Sequence, residues 1–198
     1  MLEFVSGGDL RDLLWNQRHS IELSWDTNLL DMAMDVMEAL VYLHHWFPPL
    51  IHRDLKSRNI LVDTASLSCK LSDFGLSRHR SLGTSMTLGV GTLRWTAPEL
   101  IIGTKYSEAV DIYSFGVVLT ELDTRKLPFP DFRGNCEMTL AYEVARQKRR
   151  PEFSENAPVE LVTLGRACME HDPQLRPSAL QVLQQLKAMK RIFASSHS

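Results

Sequence analysis

Apolar residues recur every three or four positions along most of the chain, which predicts a mainly helical structure. A first short helix is expected over residues 9–18. A long helix follows a cap at Ser24 or Asp26 and ends by Pro48-Pro49, because proline cannot continue a helix. Its apolar stripe consists of Leu29, Ala33, Val36, Leu40 and Leu43.

Short apolar runs bounded by turn-forming residues predict β segments in the middle of the chain. The stretches between these runs are too brief for helices, so we expect small β hairpins. Residues 73–99 show no clear period, and no element is predicted there. The predicted β segments are residues 50–52, 60–63 and 69–72.

The second half of the chain again has a helical pattern. Ser107 can cap a helix that continues to Leu122 and is apolar on nearly every side, which indicates a helix buried at the centre of its domain. Two of the three helices that follow have proline at or near the first turn. These helices are expected near residues 137–146, 158–169 and 177–189.

The composition of the 198 residues, 44% hydrophobic and 23% charged, is ordinary for one globular domain. A formal net charge of -2 supplies no basic field, so we expect neither a nucleic-acid partner nor membrane contact from this segment. The longest apolar stretch, residues 112–122, is shorter than the roughly 20 residues that a membrane helix needs.

The cysteines and histidines do not form a recognisable metal or disulfide pattern. Cys69, Cys136 and Cys168 are widely spaced and contain no CxxC pair, which argues against a disulfide framework and a zinc cluster. We interpret the adjacent His44 and His45 as a helix end, because no spaced carboxylate or cysteine set accompanies them. A reducing, cytoplasmic location is expected, and a membrane anchor in an upstream region is compatible with this sequence.

Residues 52–59 read HRDLKSRN and fit the kinase catalytic-loop pattern H-R-D-L-x-x-x-N at every fixed position. Five fixed residues coincide by chance at about one in three million positions. The DFG sequence of residues 73–75 follows the third β segment, and the APE sequence of residues 97–99 comes after it. Three motifs therefore occur in the order that protein kinases have.

On these residues the chain resembles a eukaryotic protein kinase, from the hinge between the lobes to the last helix of the larger lobe. The segments HRDLKSRN, GTLRWTAPE and DIYSFGVVLTEL are most similar to the tyrosine-kinase-like (TKL) group, whose members mostly phosphorylate serine and threonine. The resemblance implies a mainly α, protein-kinase-like fold, with a helical C-lobe and short β hairpins at the catalytic cleft. It also implies a kinase domain fragment over residues 1–190, and we expect residues 191–198 to form a disordered tail.

The resemblance assigns catalytic roles to four residues. Asp54 would accept the proton of the substrate hydroxyl, and Asn59 and Asp73 would hold Mg²⁺. Lys56 resembles the lysine of serine/threonine kinases that approaches the transferred phosphate. Thr92 would hydrogen-bond toward Asp54 and Lys56, which also favours serine or threonine substrates.

ATP is the phosphoryl donor that the resemblance implies. Backbone groups of Glu3 and Val5 would meet adenine, Asp9 would meet ribose, and Leu61 is assigned to the same nucleotide site. The glycine-rich loop and the V-A-I-K lysine of protein kinases do not occur in the 198 residues. We therefore expect the chain to begin within the ATP site. Two explanations are a start codon misplaced at an internal methionine and a genuinely short product. In either case we expect the chain to have little or no kinase activity alone.

Other motif residues are expected to build the domain. Glu99 resembles the glutamate that pairs with an arginine before the last helix, here Arg176. Asp111 would accept backbone hydrogen bonds from the loop that begins at His52, and so fix that loop. His52 and Phe74 are expected to pack in the spine that links the lobes of an active kinase.

Serine and threonine residues between DFG and APE are candidate sites of activating phosphorylation, because a phosphate there can pair with Arg53. A polar surface loop would contain the same residue types, so no single site is favoured. The candidates are Ser77, Ser81, Thr84, Ser85 and Thr87.

The leading interpretation is a magnesium-dependent serine/threonine protein kinase in signal transduction, with a protein substrate. A non-catalytic scaffold or decoy is the alternative from another class. A phosphotransferase of related fold that acts on a small molecule is disfavoured by the APE glutamate and its arginine. The WTAP sequence of residues 95–98 leans toward the tyrosine-kinase pattern, so dual specificity stays open.

Overall fold

The computed structural model describes residues 5–15, 22–73, 78–79, 92–132 and 137–196. Helices dominate this part of the chain, which confirms the predicted fold class. In chain order they are α1 (Leu10–Trp15), α2 (Leu29–His44), α3 (Pro98–Ile102), α4 (Ala109–Thr124), α5 (Glu137–Arg146), α6 (Val159–Cys168) and α7 (Ala179–Ser196).

The strands within the described residues form two short antiparallel pairs. In the pair next to the catalytic-loop motif, Ile60 lies opposite Leu71 and Val62 lies opposite Cys69. Each strand predicted from sequence is one residue shorter than expected. The strands are β1 (Leu50–Ile51), β2 (Ile60–Val62), β3 (Cys69–Leu71) and β4 (Arg78–His79), with β1 paired to β4 and β2 paired to β3.

Helix α4 lies at the centre of the core, as its apolar sequence predicted. Every residue from Val110 to Leu122 is buried, including two acidic side chains, Asp111 and Glu121. The N-cap position is occupied by Glu108 and not by the predicted Ser107, and the helix continues past the predicted end at Leu122 to Thr124. The Ser107 hydroxyl accepts the backbone N–H of Ala109 at 3.3 Å just before the helix. α4 packs against α2 and α6, so residues on several of its faces can reach different parts of the domain.

Helix α2 carries its predicted apolar stripe into the core, but the predicted cap is wrong. The helix begins at Leu29, because residues 25–28 form a turn. The Asn28 side chain stabilises this turn: its Oδ1 accepts the backbone N–H of Ser24 at 3.2 Å, and its Nδ2 donates to the carbonyl of Glu22 at 2.9 Å. The five predicted stripe residues are all buried.

The ends of other helices also differ from the prediction. α1 includes the buried Leu10, Leu13 and Leu14, and its predicted continuation to residue 18 lies outside the described residues. α3 was not predicted at all. α7 passes residue 190, where we expected the domain to end, and stays helical to Ser196. Among the described helices, none is long and apolar enough to cross a lipid bilayer.

Candidate active site

The backbone of the HRDLKSRN loop is held by the Asp111 carboxylate of α4. Asp111 Oδ2 accepts the N–H of His52 at 2.9 Å, and Oδ1 accepts the N–H of Arg53 at 2.8 Å. Arg53 has a φ of 66°, a left-handed conformation that costs a non-glycine residue about 1–2 kcal/mol. Asp111 is fully buried, so its two charge-assisted bonds act without competition from water. The prediction that Asp111 fixes this loop is confirmed.

His44 makes a further contact with Asp111 that the sequence analysis missed. Its Nε2 lies 2.9 Å from Asp111 Oδ2, and the two side chains are 9% and 0% exposed. His44 is the last residue of α2, as expected, but it also orients the carboxylate that holds the loop. The sequence contained one signal for this role: His44 lies four residues after the buried Leu40 and therefore continues the buried stripe.

The Asp54 carboxylate lies at the end of this loop and contacts two of the other predicted site residues. Lys56 Nζ lies 2.7 Å from Asp54 Oδ2 and 3.0 Å from Oδ1. The Asn59 side-chain nitrogen donates to Asp54 Oδ2 at 2.9 Å and to the Asp54 carbonyl at 2.7 Å. Asp54 and Asn59 are each 6% exposed. Asp54 is therefore held in one orientation, and the Asn59 side-chain nitrogen is engaged with Asp54.

Asp73 follows β3 and lies beside Asn59 in the backbone. The N–H and hydroxyl of the preceding Ser72 both donate to the Asn59 carbonyl, at 2.9 and 3.0 Å. The buried His52 ring also reaches this segment, with Nε2 3.0 Å from the Ser72 carbonyl. Asp73 has a φ of 59° and an exposed side chain. The strand pair β2–β3 thus places Ser72, the residue before Asp73, in contact with the backbone of Asn59.

Lys56 links the catalytic loop to the segment that precedes APE. In addition to its contact with Asp54, Lys56 Nζ donates to Thr92 Oγ1 at 3.1 Å. The predicted bond between Thr92 and Lys56 is confirmed, and Thr92 reaches Asp54 through the Lys56 ammonium. A 3₁₀ turn at Leu93–Trp95 follows Thr92 and leads into α3. One ammonium group therefore joins two segments that are distant in sequence.

Two of the four residues assigned to the nucleotide, Asp9 and Leu61, lie next to each other at β2. Asp9 and Leu61 are partners in an isolated antiparallel bridge, and the Gly8 carbonyl accepts the N–H of Val62 at 2.9 Å. This approach requires glycine at position 7, because a Cβ there would lie 2.1 Å from the Val62 carbonyl oxygen. The Asp9 carboxylate also accepts the N–H of Asp12 at 2.8 Å and so begins α1.

Val5, also assigned to the nucleotide, is half-buried at the start of the described residues. Glu3 lies outside the described residues, as do Phe74 and Gly75 of the DFG motif. The same holds for the candidate phosphorylation sites Ser77, Ser81, Thr84, Ser85 and Thr87.

Two buried carboxylates on α3 and α4 connect the site to the rest of the domain. Glu99 forms the predicted ion pair with Arg176, at 2.6 Å between Oε1 and Nη1. Glu121 accepts hydrogen bonds from both Ser57 and Trp95, and the sequence analysis did not identify it. The signal was present in the sequence, because Glu121 is an acidic residue in an otherwise apolar stretch of α4.

Comparisons with known proteins agree with this arrangement. The protein kinase domain family matches residues 1–186. A probable serine/threonine-protein kinase of Dictyostelium discoideum is 41% identical over 189 residues, which are 94% of this chain and 17% of the relative. The probable serine/threonine-protein kinase drkA of the same organism is 35% identical over 190 residues, 94% of this chain and 28% of the relative.

The dual specificity protein kinase splA of Dictyostelium discoideum is also similar, at 34% identity over 207 residues. The alignment covers 98% of this chain and 8% of splA. The chain thus spans less than a third of the length of each of these three relatives. The match over residues 1–186 shows that this chain belongs to the protein kinase domain family.

Proposed function

We propose that this chain carries the catalytic groups of a serine/threonine protein kinase that acts in signal transduction. Such an enzyme transfers the γ-phosphoryl group of ATP to a serine or threonine hydroxyl of a protein substrate. In this proposal the chain belongs to the TKL group, and its residues correspond to the larger lobe of the kinase. The observation that carries the proposal is the Asp54 carboxylate, which is held at once by Lys56 and Asn59.

Asp54 is the proposed catalytic base. Its carboxylate would accept the proton of the substrate hydroxyl while that oxygen forms a bond to the γ-phosphorus and the bond to the ADP oxygen breaks. The hydrogen bonds from Lys56 and Asn59 support this role, because they fix the carboxylate before substrate arrives. Lys56 would also offset the negative charge of the phosphoryl group.

Asn59 and Asp73 are the proposed ligands of Mg²⁺. Both offer the hard oxygen atoms that Mg²⁺ prefers, and the Asn59 nitrogen is engaged with Asp54, so its oxygen is the atom left for the metal. The bonds between Ser72 and Asn59 support a short separation between the two ligands. When bound, Mg²⁺ would neutralise charge on the phosphates of ATP.

The proposed nucleotide contacts are the backbone groups of Glu3 and Val5, the Asp9 side chain and Leu61. The bridge between Asp9 and Leu61 supports a common location for these two. The 198 residues include neither a glycine-rich loop nor a V-A-I-K lysine, which grip the phosphates of ATP in protein kinases. We therefore propose that the chain by itself transfers little or no phosphate.

The preference for serine and threonine rests on Lys56 and Thr92, which contact each other at the site. Similar proteins include probable serine/threonine-protein kinases and one dual specificity kinase. We also propose a cytoplasmic location, which fits the free and buried thiols of Cys69 and Cys168.

A phosphorylation assay tests the proposal. The chain would be produced alone and as a fusion behind the ATP-binding small lobe of an active protein kinase. Both would be supplied with Mg²⁺, ATP and peptides that differ only in a serine, threonine or tyrosine acceptor. We expect the fusion to phosphorylate serine and threonine, and the chain alone to give little or no product.

Two substitutions in the fusion identify the source of the activity. Asp54→Asn should lower the transfer rate by roughly 10²- to 10⁴-fold, the range for loss of a general base. Asp63→Asn is the matched control: Asp63 lies in the turn after β2, where it accepts the N–H of Ala65, and its loss should change the rate by less than about twofold. Equal rates for Asp54→Asn and the unmodified fusion would rule out the proposed base.

A further inference from the structure

Glu121 is a fully buried carboxylate that accepts hydrogen bonds from two different segments of the candidate site. Its Oε1 accepts the Ser57 hydroxyl at 2.8 Å, and its Oε2 accepts the Trp95 indole N–H at 2.6 Å. The side chain is 0% exposed, so neither bond competes with bulk water. Burial of a carboxylate is energetically unfavourable unless hydrogen bonds replace its lost contacts with water, so the bonds from Ser57 and Trp95 are needed to keep Glu121 in this position.

The two donors flank the contact between Lys56 and Thr92. Ser57 directly follows Lys56, and Trp95 ends the 3₁₀ turn that follows Thr92. The Trp95 carbonyl also accepts the hydroxyl of Ser114 on α4, at 2.7 Å. The catalytic loop and the segment before α3 are therefore both fastened to α4 within a few residues of the point where they meet.

We propose that Glu121 is a positioning residue, whose carboxylate joins Ser57 to Trp95 and thereby sets the separation across which Lys56 contacts both Asp54 and Thr92. Its effect on phosphoryl transfer rests on the proposed function. Its effect on the geometry of Lys56 and Thr92 does not. Glu121 itself touches neither Asp54 nor Lys56 in the described hydrogen bonds, so it acts through the backbone of the two segments that it joins.

The ionised form of Glu121 suits this role better than the neutral form. The Trp95 indole can only donate, and in the ionised state the Ser57 hydroxyl and backbone also donate to the carboxylate. A proton on Glu121 Oε1 would point toward the Ser57 hydroxyl and N–H, which are also donors. The Ser57 hydroxyl would then have to turn and accept a hydrogen bond instead of donating one. Acidification should therefore weaken the hydrogen bonds between Ser57 and Glu121. The Trp95 indole would still donate to Glu121, but to a neutral carboxyl group instead of a carboxylate.

The electrostatic environment places this change within a measurable pH range. Burial raises the pKa of Glu121 from 4.5 to about 7, against the opposing effect of the hydrogen bonds from Trp95 and Ser57. Arg11 on α1 is the charged side chain that acts on it from a neighbouring element within the described residues, and it favours the ionised form.

Nuclear magnetic resonance of the ¹⁵N-labelled 198-residue chain tests the inference without any assay of activity. The variant Glu121→Gln keeps the size of the side chain but replaces one acceptor oxygen by a donor. Thr120→Val is the matched control, because Thr120 is buried on the same helix and its hydroxyl donates within α4, to the Val117 carbonyl at 2.7 Å. We expect the amide signals of Lys56 and Thr92 to move in Glu121→Gln and to stay in place in Thr120→Val.

The Trp95 indole signal, identified by its loss in Trp95→Phe, provides a second measurement on the unmodified chain. It should move with pH around a midpoint of about 7, and should lose this dependence in Glu121→Gln. If Glu121→Gln does not fold, Ser57→Ala removes one arm of the connection and should move the Thr92 signal. An indole signal that is constant between about pH 5.5 and 8.5, or equal changes in Glu121→Gln and Thr120→Val, would overturn the inference.

In the fusion with a kinase small lobe, Glu121→Gln should lower the transfer rate by about 10- to 100-fold, and Thr120→Val should leave it close to that of the parent fusion. If the parent fusion transfers no phosphate, the proposed function fails. The signals of Lys56, Thr92 and Trp95 then still decide whether Glu121 positions these segments. If the fusion is active and Glu121→Gln is equally active, the positioning role is excluded while the kinase assignment stands.

Discussion

Glu99 and Arg176, which are 77 positions apart in the sequence, form a bidentate ion pair in the interior of the domain. Arg176 Nη1 lies 2.6 Å from Glu99 Oε1, and Nη2 lies 2.8 Å from Oε2. Arg176 also donates to the carbonyls of Ala109 and Glu170, at 2.9 and 2.8 Å. The pair therefore joins α3, the start of α4 and the segment before α7.

Removal of one partner should leave the other charge buried without compensation. We expect Glu99→Gln to lower the free energy of unfolding by roughly 3–5 kcal/mol, as measured by urea denaturation. The control is Glu38→Gln, which breaks a half-exposed pair with Lys187 and should cost less than about 1 kcal/mol. Similar losses for the two variants would show that the buried pair contributes no more than a surface pair.

Asp111 should control the exchange of the loop amides that it holds. In Asp111→Asn, one of the two acceptor oxygens is lost, and the left-handed Arg53 loses part of its support. We expect faster hydrogen exchange at His52 and Arg53 and a loss of stability of about 1–3 kcal/mol.

Asp123→Asn is the matched control for that experiment. Asp123 also lies on α4 and accepts two N–H groups, from the Trp25 indole at 3.1 Å and the Ser154 backbone at 2.6 Å. It should lose comparable stability without faster local exchange at His52 and Arg53. Equal exchange rates at these two amides in both variants would contradict a specific role for Asp111.

Gly7 should be required for the approach of the first described segment to β2. A Cβ at position 7 would lie 2.1 Å from the Val62 carbonyl oxygen, so Gly7→Ala must push the two backbones apart. We expect a lower midpoint of thermal unfolding and loss of the bond between Gly8 and Val62. Gly103→Ala is the control, because that site has a φ of 77° but no atom near an added Cβ, and it should cost only about 1–2 kcal/mol.

The buried Glu121 should make stability depend on pH. Because its pKa is raised from 4.5 to about 7, the folded chain keeps a proton in this interval that the unfolded chain has released. The contribution of Glu121 to stability is therefore fully present below about pH 4.5 and is lost as the pH rises through about 7, by up to about 1.4 kcal/mol per pH unit.

The variant Glu121→Gln cannot titrate and isolates this contribution. The unfolding free energy of the wild type minus that of the variant should fall as the pH rises toward about 7 and become constant above it. Urea denaturation at several pH values measures this difference. A difference that is independent of pH would show that Glu121 keeps its ordinary pKa in the folded chain.

The sequence predicted contacts whose partners belong to motifs with fixed spacing. Asp111, the pair of Glu99 with Arg176, and the bond between Lys56 and Thr92 are of this kind, and the structure contains all three. The long helices were also predicted, because apolar residues that recur every three or four positions over many residues fit a helix and not a strand.

The contacts that were missed depend on single polar residues whose partners are distant in sequence. The apolar periodicity of α2 and α4 predicts these helices without any role for His44 or Glu121. The partners of both residues come close only when α2, α4 and the 3₁₀ turns pack together. The helix α3 was missed because its five residues are too few to show a period. The start of α2 was misplaced because Asn28 competes with Ser24 and Asp26 for the turn before the helix.

The central claim is that the oxygen atoms of Asp54, Asn59 and Asp73 surround one position where a metal-bound phosphate can lie. Mn²⁺ can replace Mg²⁺ and broadens the signals of nearby amides. Adding Mn²⁺ together with ATP to the 198-residue chain therefore tests the claim directly. We predict selective broadening at residues 54, 59 and 73, and its loss in Asp73→Asn. Uniform broadening across the chain, or broadening centred on a different surface, would contradict the claim.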